Sequence, residues 1–309
     1  MTPRQLTALL AMAAIWGGSF LYVRVLIDAG IAPTGISGIR TVVGMLSLLP
    51  VAIAMRRQFP RDGRTWLALL ALGFLNFAVP WTLVAMSEEH IPSGVASIVN
   101  SAMPLWTAIF AVALIRNERL TAVQVMGLVL GFLGVVALLG EDLADLGGDS
   151  ARGVALMLLA TACAGLSSVI IRRWLLHVPP LPLTIGQVGF ASCMLVPLAI
   201  GSGAYDGASF GLKEAASALA LGGLGSGVAV VAFMWLIGQI GAVRAVVVTY
   251  LIPPIGVFLG WAVLDEPIGW NLVLGLSLVA GGVALVQGVP VLRPILRPAQ
   301  SRPMPAEIE

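Results

Sequence analysis

Long apolar stretches separated by short charged segments dominate the chain. Nine charge-free runs reach at least 19 residues, and each is rich in Leu, Val, Ile, Ala and Gly. A transmembrane helix needs ~20 predominantly apolar residues to cross ~30 Å of hydrocarbon, so each run predicts one membrane span. The runs are 5–23, 65–87, 90–115, 120–140, 153–171, 174–205, 215–243, 245–264 and 267–292.

A tenth span is expected in the segment 28–56, which Arg40 interrupts. The uncharged stretch 41–55 has 15 residues and would reach about 22 Å as a helix, which is too short to cross. A helix that starts at Pro33, a residue type favoured at the first helical position, is long enough. The sequence thus predicts an all-α integral membrane protein of ten transmembrane helices, with Arg40 inside the membrane about two turns from one surface.

Composition agrees with a membrane protein and excludes several other classes. Only 10% of the residues are charged and 59% are hydrophobic, whereas about a quarter of the residues of soluble domains are charged. The net charge of +2 comes from basic residues dispersed over loops, so nucleic acid is not an expected partner.

His90 and His177 lie at helix ends on opposite sides and cannot share a metal, and no cofactor is expected. Cys163 and Cys193 fall inside spans, where we expect small packing residues.

The basic residues are divided unevenly between the two sides of the predicted bundle. With the N-terminus inside, one side receives 13 of the 17 Lys and Arg residues. Short loops that stay in the cytoplasm are enriched in these residues. We therefore expect both termini in the cytoplasm.

The chain contains an internal repeat. Residues 127–140, "GLVLGFLGVVALLG", match residues 275–288, "GLSLVAGGVALVQG", at an offset of 148. Further landmarks recur at nearly the same offset, in the pairs Glu118/Glu266, Pro104/Pro253 and Arg24/Arg172. We expect a first five-helix repeat in 1–144, a second in 145–290 and a cytoplasmic tail in 291–309.

Because five is an odd number, the second repeat enters the membrane from the opposite side. Two halves of inverted topology are typical of transporters that alternate access around a site near the midplane. The fold class predicted is thus ten helices, arranged as two inverted five-helix repeats around a central cavity.

Several motifs resemble those of one known family. They are "WGGSF" at 16–20, a proline-bearing fourth helix that closes in "RNERLT" at 116–121, a Gly-rich fifth helix, and "GAVRA…IPPIGVFLGWAVLDEP" within 241–267. The chain resembles the EamA-type branch of the drug/metabolite transporter superfamily over residues 5–288. The resemblance implies a ten-helix carrier of the bacterial inner membrane that usually exports amino acids or similar small metabolites.

Polar residues share helix faces that are otherwise apolar. By the 3.6-residue period, Arg40 lies on a small and polar face of the second helix, and Asn100 lies on such a face of the fourth. Packing is the alternative, since membrane helices associate through small residues. For the amides Asn100, Gln187 and Asn76, the alternative to ligand contact is a hydrogen bond between helices. The predicted substrate-binding residues are Arg40, Asn100, Gln187, Trp16, Asn76 and Tyr250.

Three readings stay open for Arg40: it reaches back to the headgroups, pairs with an outer acid such as Asp28, or binds an anionic part of the substrate or gates the outer mouth. Trp16 and Tyr250 could stack on a substrate, with lipid or core contact as the alternative. The predicted hinge or gate residues are Pro104, Pro253, Glu118 and Glu266.

The function predicted from these observations is secondary transport of a small polar metabolite, such as an amino acid or derivative, outward by alternating access. The alternatives are a structural or assembly membrane protein, and a carrier for nucleosides, sugars or drugs. An enzyme is not expected, because no nucleophile, acid/base pair or metal set lies at one depth. The expected partners are a small-molecule substrate and the lipid bilayer, with a monomer or homodimer as the assembly.

The coupling ion is left open. No Asp or Glu lies in the middle of a predicted span, whereas proton-driven carriers commonly use such a carboxylate. His90 or a carboxylate at a helix end could still serve.

Overall fold

The computed structural model describes residues 2–116, 118–140, 148–240, 245 and 248–287. Within these ranges the chain consists of helices and connecting turns, with no strand. The predicted tail 291–309 and the boundary between the two predicted repeats lie outside the described residues. In chain order the helices are α1 Pro3–Asp28, α2 Pro33–Ala54, α3 Gly63–Glu88, α4 Ser93–Leu114, α5 Ala122–Leu139, α6 Asp149–Trp174, α7 Pro180–Gly201, α8 Leu212–Gln239, α9 Val248–Leu264 and α10 Trp270–Gln287.

The lengths of these helices confirm the membrane spans predicted from the sequence. In the described part of the chain, nine are long and apolar enough to cross a membrane, and α9 is an apolar helix of the shorter 10–17-residue class. The helix around Arg40 begins at Pro33, as expected.

Side-chain caps fix the starts of several helices, among them α1, α3 and α5. At α1, Gln5 Oε1 accepts from the Thr2 backbone N–H at 2.8 Å, and the Thr2 hydroxyl accepts from the Gln5 N–H. At α3, Asp62 Oδ2 accepts from the Thr65 N–H at 2.7 Å. Hydrogen bonding by the Thr65 side chain, followed by that of its backbone N–H, holds the pKa of Asp62 below its usual value, because it stabilises the ionised carboxylate. Such caps satisfy backbone N–H groups that have no partner inside the helix.

Most consecutive helices are of membrane-spanning length and are joined by short connections, such as residues 29–32 between α1 and α2, so we take each to return across the bundle, which then has two ends. We call the end at which α1 begins the N side and the other end the far side. On the far side the Ala32 N–H donates to Ala204 O, and the Ser209 N–H donates to Ala29 O, both at 3.0 Å. On the N side the Arg4 guanidinium lies 5.5 Å from the centre of the Trp235 ring.

Three helices depart from regular α geometry. In α3 residues Phe74–Ala78 form a π-helical segment, and in α8 residues Leu219–Val228 form another. In α4 the α-helix stops at Asn100 and resumes at Met103. Irregular backbone at membrane depth is tolerated where it is buried in protein or lines a cavity, and π segments frequently occur at functional sites.

Glycines allow α5 and α10 to pack closely. A methyl group at Gly134 would lie 2.7 Å from the Val279 backbone nitrogen, and one at Gly127 would lie 2.7 Å from the Gly282 carbonyl oxygen. These contacts are backbone to backbone, which only small residues permit.

We expect Gly134→Ala to destabilise the protein by about 1–3 kcal/mol, since overpacking forces the two helices apart. Gly281→Ala is the matched control, because a methyl group there meets only the Leu130 side chain, at 3.5 Å. The measurement is the Tm of each purified variant in detergent. Equal Tm values for the two variants would contradict the packing described.

Candidate transport cavity

A cavity of about 530 Å³ lies between α4, α6, α9 and α10. Its inner end is at the interruption of α4, where it is lined by Asn100, Ser101 and Pro104. Glu118 and Arg172, at the N-side ends of α4 and α6, lie at its mouth. The cavity therefore opens on the N side, and it has the volume typical of a small-molecule site.

The cavity offers a few polar groups on an apolar wall. Asn100 lines it, and the side-chain amide of this residue makes no hydrogen bond to any residue that the structure describes. The Tyr250 hydroxyl donates to Gln287 Oε1 at 2.8 Å. At the mouth the Arg172 guanidinium forms an ion pair with Glu118. An amide with free donors and acceptors can bind both ends of a zwitterion, so Asn100 is the best-placed polar contact.

Prolines occupy different environments in α4 and α9. Pro104 stands at the start of the second part of α4, directly after the interruption. Pro253 and Pro254 lie inside α9, which continues through them, and the Ser97 hydroxyl reaches the Pro253 carbonyl at 3.4 Å. Within the described parts of the two helices only α4 is interrupted, and the hinge function of both positions stays a prediction.

Arg40 points into the bundle. Its Nε donates to Ser226 Oγ at 3.1 Å, and its guanidinium carbon lies 3.9 Å from the centre of the Trp81 ring. Asp28 instead pairs with Arg24, at 3.2 Å. These contacts contradict two of the hypotheses for Arg40, in which it reaches the lipid headgroups or pairs with Asp28. The guanidinium is bound instead by a hydroxyl and an aromatic face. Arg40 does not line the 530 Å³ cavity.

Two predicted amides bind each other. Asn76 Nδ2 donates to Gln187 Oε1 at 3.0 Å, and Gln187 is 1% exposed. Of the two arrangements considered for these amides, the structure has the hydrogen bond between helices. Both residues also border a smaller N-side cavity of about 280 Å³, so substrate contact stays a prediction for this pair.

The Arg40 and Gln187 contacts correspond to each other. Arg40 of α2 binds Ser226 in the π segment of α8, and Gln187 of α7 binds Asn76 in the π segment of α3. Arg40 and Gln187 are 147 positions apart, close to the repeat offset of 148. Both contacts join the two predicted halves, and the half that supplies the π segment differs between them.

Trp16 packs between α1 and α8. Its Nε1 donates to the Gly225 carbonyl oxygen at 3.0 Å, and its ring meets Phe233 edge-on at 5.3 Å between centroids. It does not line the 530 Å³ cavity. The structure therefore does not bring Trp16, Arg40, Gln187 and Asn100 into one cavity.

On the far side, hydrogen bonds join the two predicted halves. Glu266, which follows α9, accepts from the Ser93 N–H at 2.7 Å and from the Gly94 N–H at 2.9 Å, so it caps α4. The Ser87 hydroxyl donates to the Gly153 carbonyl oxygen at 2.7 Å. These bonds, with those of Ala32 and Ser209, join the far-side ends of helices from both halves.

Sequence reasoning missed Glu88. This residue ends α3 on the far side and is 0% exposed, and neither carboxylate oxygen has a hydrogen-bond partner among the residues described. It interacts electrostatically with Arg24, Arg40 and Glu266. The spacing along the sequence could have indicated its location. Glu88 is seven positions after Trp81, so the two residues lie on the same face of the helix.

We expect Asn100→Cys to react with a polar thiol reagent supplied from the N side, because that position lines an open cavity. Ser37→Cys is the control, since Ser37 is 1% exposed in the far-side half of α2. Both variants need Cys163 and Cys193 replaced; Cys193, expected to be buried, is exposed. Equal labelling of the two positions would show that the cavity is not open to water.

Comparison with known proteins agrees with this fold. The model of the EamA-like transporter family matches residues 4–140 and again residues 151–287. A solved crystal structure is similar over 95% of this chain and 100% of its own, with a TM-score of 0.60 and 19% identity. At that identity the likeness shows the fold alone.

Three relatives illustrate the range of similarity. YoaV of Bacillus subtilis, named an uncharacterized transporter, is 22% identical over 91% of this chain and 95% of its own. YedA of Escherichia coli, named an uncharacterized inner membrane transporter, is 27% identical over 95% and 96%. A protein of Streptantibioticus cattleyicolor named a probable terminal-alkyne amino-acid exporter is 24% identical over 90% and 92%.

Proposed function

Since the chain belongs to the EamA-like transporter family, we propose that it is a secondary transporter that exports a small polar metabolite by alternating access. The observation that carries the proposal is the 530 Å³ cavity, which opens on the N side and ends at the interruption of α4. Cross-half hydrogen bonds close the far side at the same time. One open and one closed side are what a carrier requires in each of its two end states.

The N side is proposed to face the cytoplasm of a bacterial-type inner membrane. In the topology predicted from the sequence this side carries 13 of the 17 basic residues, as loops retained in the cytoplasm do. In this orientation the cavity is loaded from the cytoplasm, which suits export. Rocking of two inverted five-helix halves, with Pro104 and Pro253 as hinges, would then open the far side.

An amino acid or a derivative is the proposed substrate. The cavity combines an apolar wall with the free amide of Asn100 and the charged pair Glu118–Arg172 at its mouth. These groups can bind the charged ends of a zwitterion, while the wall accepts its side chain. A relative named as an amino-acid exporter supports the same class.

The direct test is counterflow of labelled amino acids in liposomes that contain the purified protein. We expect exchange of at least one amino acid, and we expect Asn100→Ala to raise its half-saturating concentration about tenfold, the effect of losing a hydrogen bond of about 1.4 kcal/mol. Ser277→Ala is the control, because that hydroxyl is exposed on α10 and bonds its own helix.

Two outcomes would count against the proposal. Exchange that is unchanged in Asn100→Ala would move the site out of the 530 Å³ cavity. Absence of exchange for every amino acid would exclude this substrate class, and nucleosides, sugars and cationic drugs would be tested next.

A further inference from the structure

Glu88 is a buried carboxyl group whose two oxygens accept no hydrogen bond from the described residues. It is 0% exposed. An ionised carboxylate is stable away from water only when hydrogen bonds or a close ion pair replace its hydration. The side chain therefore requires a partner that the surrounding helices do not supply.

The two nearest guanidinium groups are directed at other atoms. Arg24 Nη1 donates to the backbone oxygen of Glu88 at 2.6 Å, and its Nε pairs with Asp28 at 3.2 Å. Arg40 donates to Ser226 and lies on the Trp81 ring. They stabilise negative charge at Glu88 from a distance, but neither solvates the carboxylate oxygens.

The other charged groups around Glu88 donate no hydrogen bond to its carboxylate oxygens either. Glu266 is a second carboxylate that acts electrostatically on Glu88, and its own oxygens are held by the N–H groups of Ser93 and Gly94. His90 lies against Asp149, with Nδ1 and Oδ1 3.4 Å apart. The remaining charged residues at this end of the surrounding elements are Asp28 on α1, Arg152 on α6, Glu89 directly after α3 and Asp265 directly before Glu266.

We propose that Glu88 is a proton-binding site that is loaded when the far side closes. One carboxylate oxygen takes a proton from far-side water and becomes a neutral carboxylic acid, and the proton returns to water when the far side opens. A metal cation fits poorly, because two guanidinium groups act on the site and the described residues contain no cluster of three metal-ligating side chains.

Proton binding at Glu88 links pH to conformation. The closed far side binds one proton more than the open far side, so acid favours closure and alkali favours opening. This consequence rests on the proposed alternating access, whereas proton binding in the state described does not.

Infrared spectroscopy of the purified protein at neutral pH tests the proton directly. We expect the C=O stretch of a protonated carboxylic acid in the wild type and its loss in Glu88→Gln, whose neutral amide replaces the acid at nearly the same volume. Glu89→Gln is the matched control, because Glu89 is the neighbouring glutamate and is exposed. Absence of the band in the wild type, or its persistence in Glu88→Gln, would overturn the proposal.

Counterflow at varied pH separates this inference from the proposed function. We expect exchange by the wild type and by Glu89→Gln to vary with far-side pH, and exchange by Glu88→Gln to be independent of it. Exchange that keeps the wild-type pH dependence in Glu88→Gln would overturn the link between Glu88 and the transport cycle. If no compound exchanges, transport itself fails, while the infrared result still decides the proton site.

Discussion

Polar groups in this bundle must find partners among the helices, because lipid hydrocarbon offers none. The contact between Arg40 and Ser226 shows how this constraint shapes the fold. A guanidinium about two turns deep cannot stay unpaired, and α8 presents a hydroxyl from a π-helical segment to meet it. The matching contact between Gln187 and Asn76 uses the π segment of α3 in the same way. Irregular backbone and buried polar side chains thus occur together.

The need of polar groups for partners also accounts for the difference between the two sides of the molecule. On the far side, hydrogen bonds from backbone and side chains hold the helix ends together, and Glu266 caps α4 across the two halves. On the N side, the interruption of α4 leaves an open cavity that the Asn100 amide faces. A carrier needs closure that can be reversed. Hydrogen bonds between loops are suited to this, because water can replace them when the far side opens.

Much of the fold could be predicted from the sequence. The spacing of charges located the spans, and the length argument at Arg40 placed the start of α2 at Pro33, where the structure has it. Periodicity placed Asn100 on a polar face of α4, and that face borders the cavity. These predictions needed only helix length, helix period and the cost of burying charge.

The partners of the polar residues could not be predicted in this way. Whether Arg40 met lipid headgroups, Asp28 or another helix depended on how α2, α3 and α8 pack, which one helix does not determine. Glu88 was missed because a charge at the end of an apolar run is ordinarily placed in water, whereas here the side chain is 0% exposed. The π segments carry no sequence signal as distinct as the proline of α4.

The most direct test of alternating closure is a distance measurement by electron paramagnetic resonance on the protein in lipid. Spin labels at the exposed positions 89 and 268 would report the separation of α3 from the segment that carries Glu266. The account predicts one short distance in acid and a second, longer population in alkali, with only the short distance when Glu88 is replaced by Gln. A single distance at every pH in the wild type would contradict the claim that the far side opens and closes with the proton on Glu88.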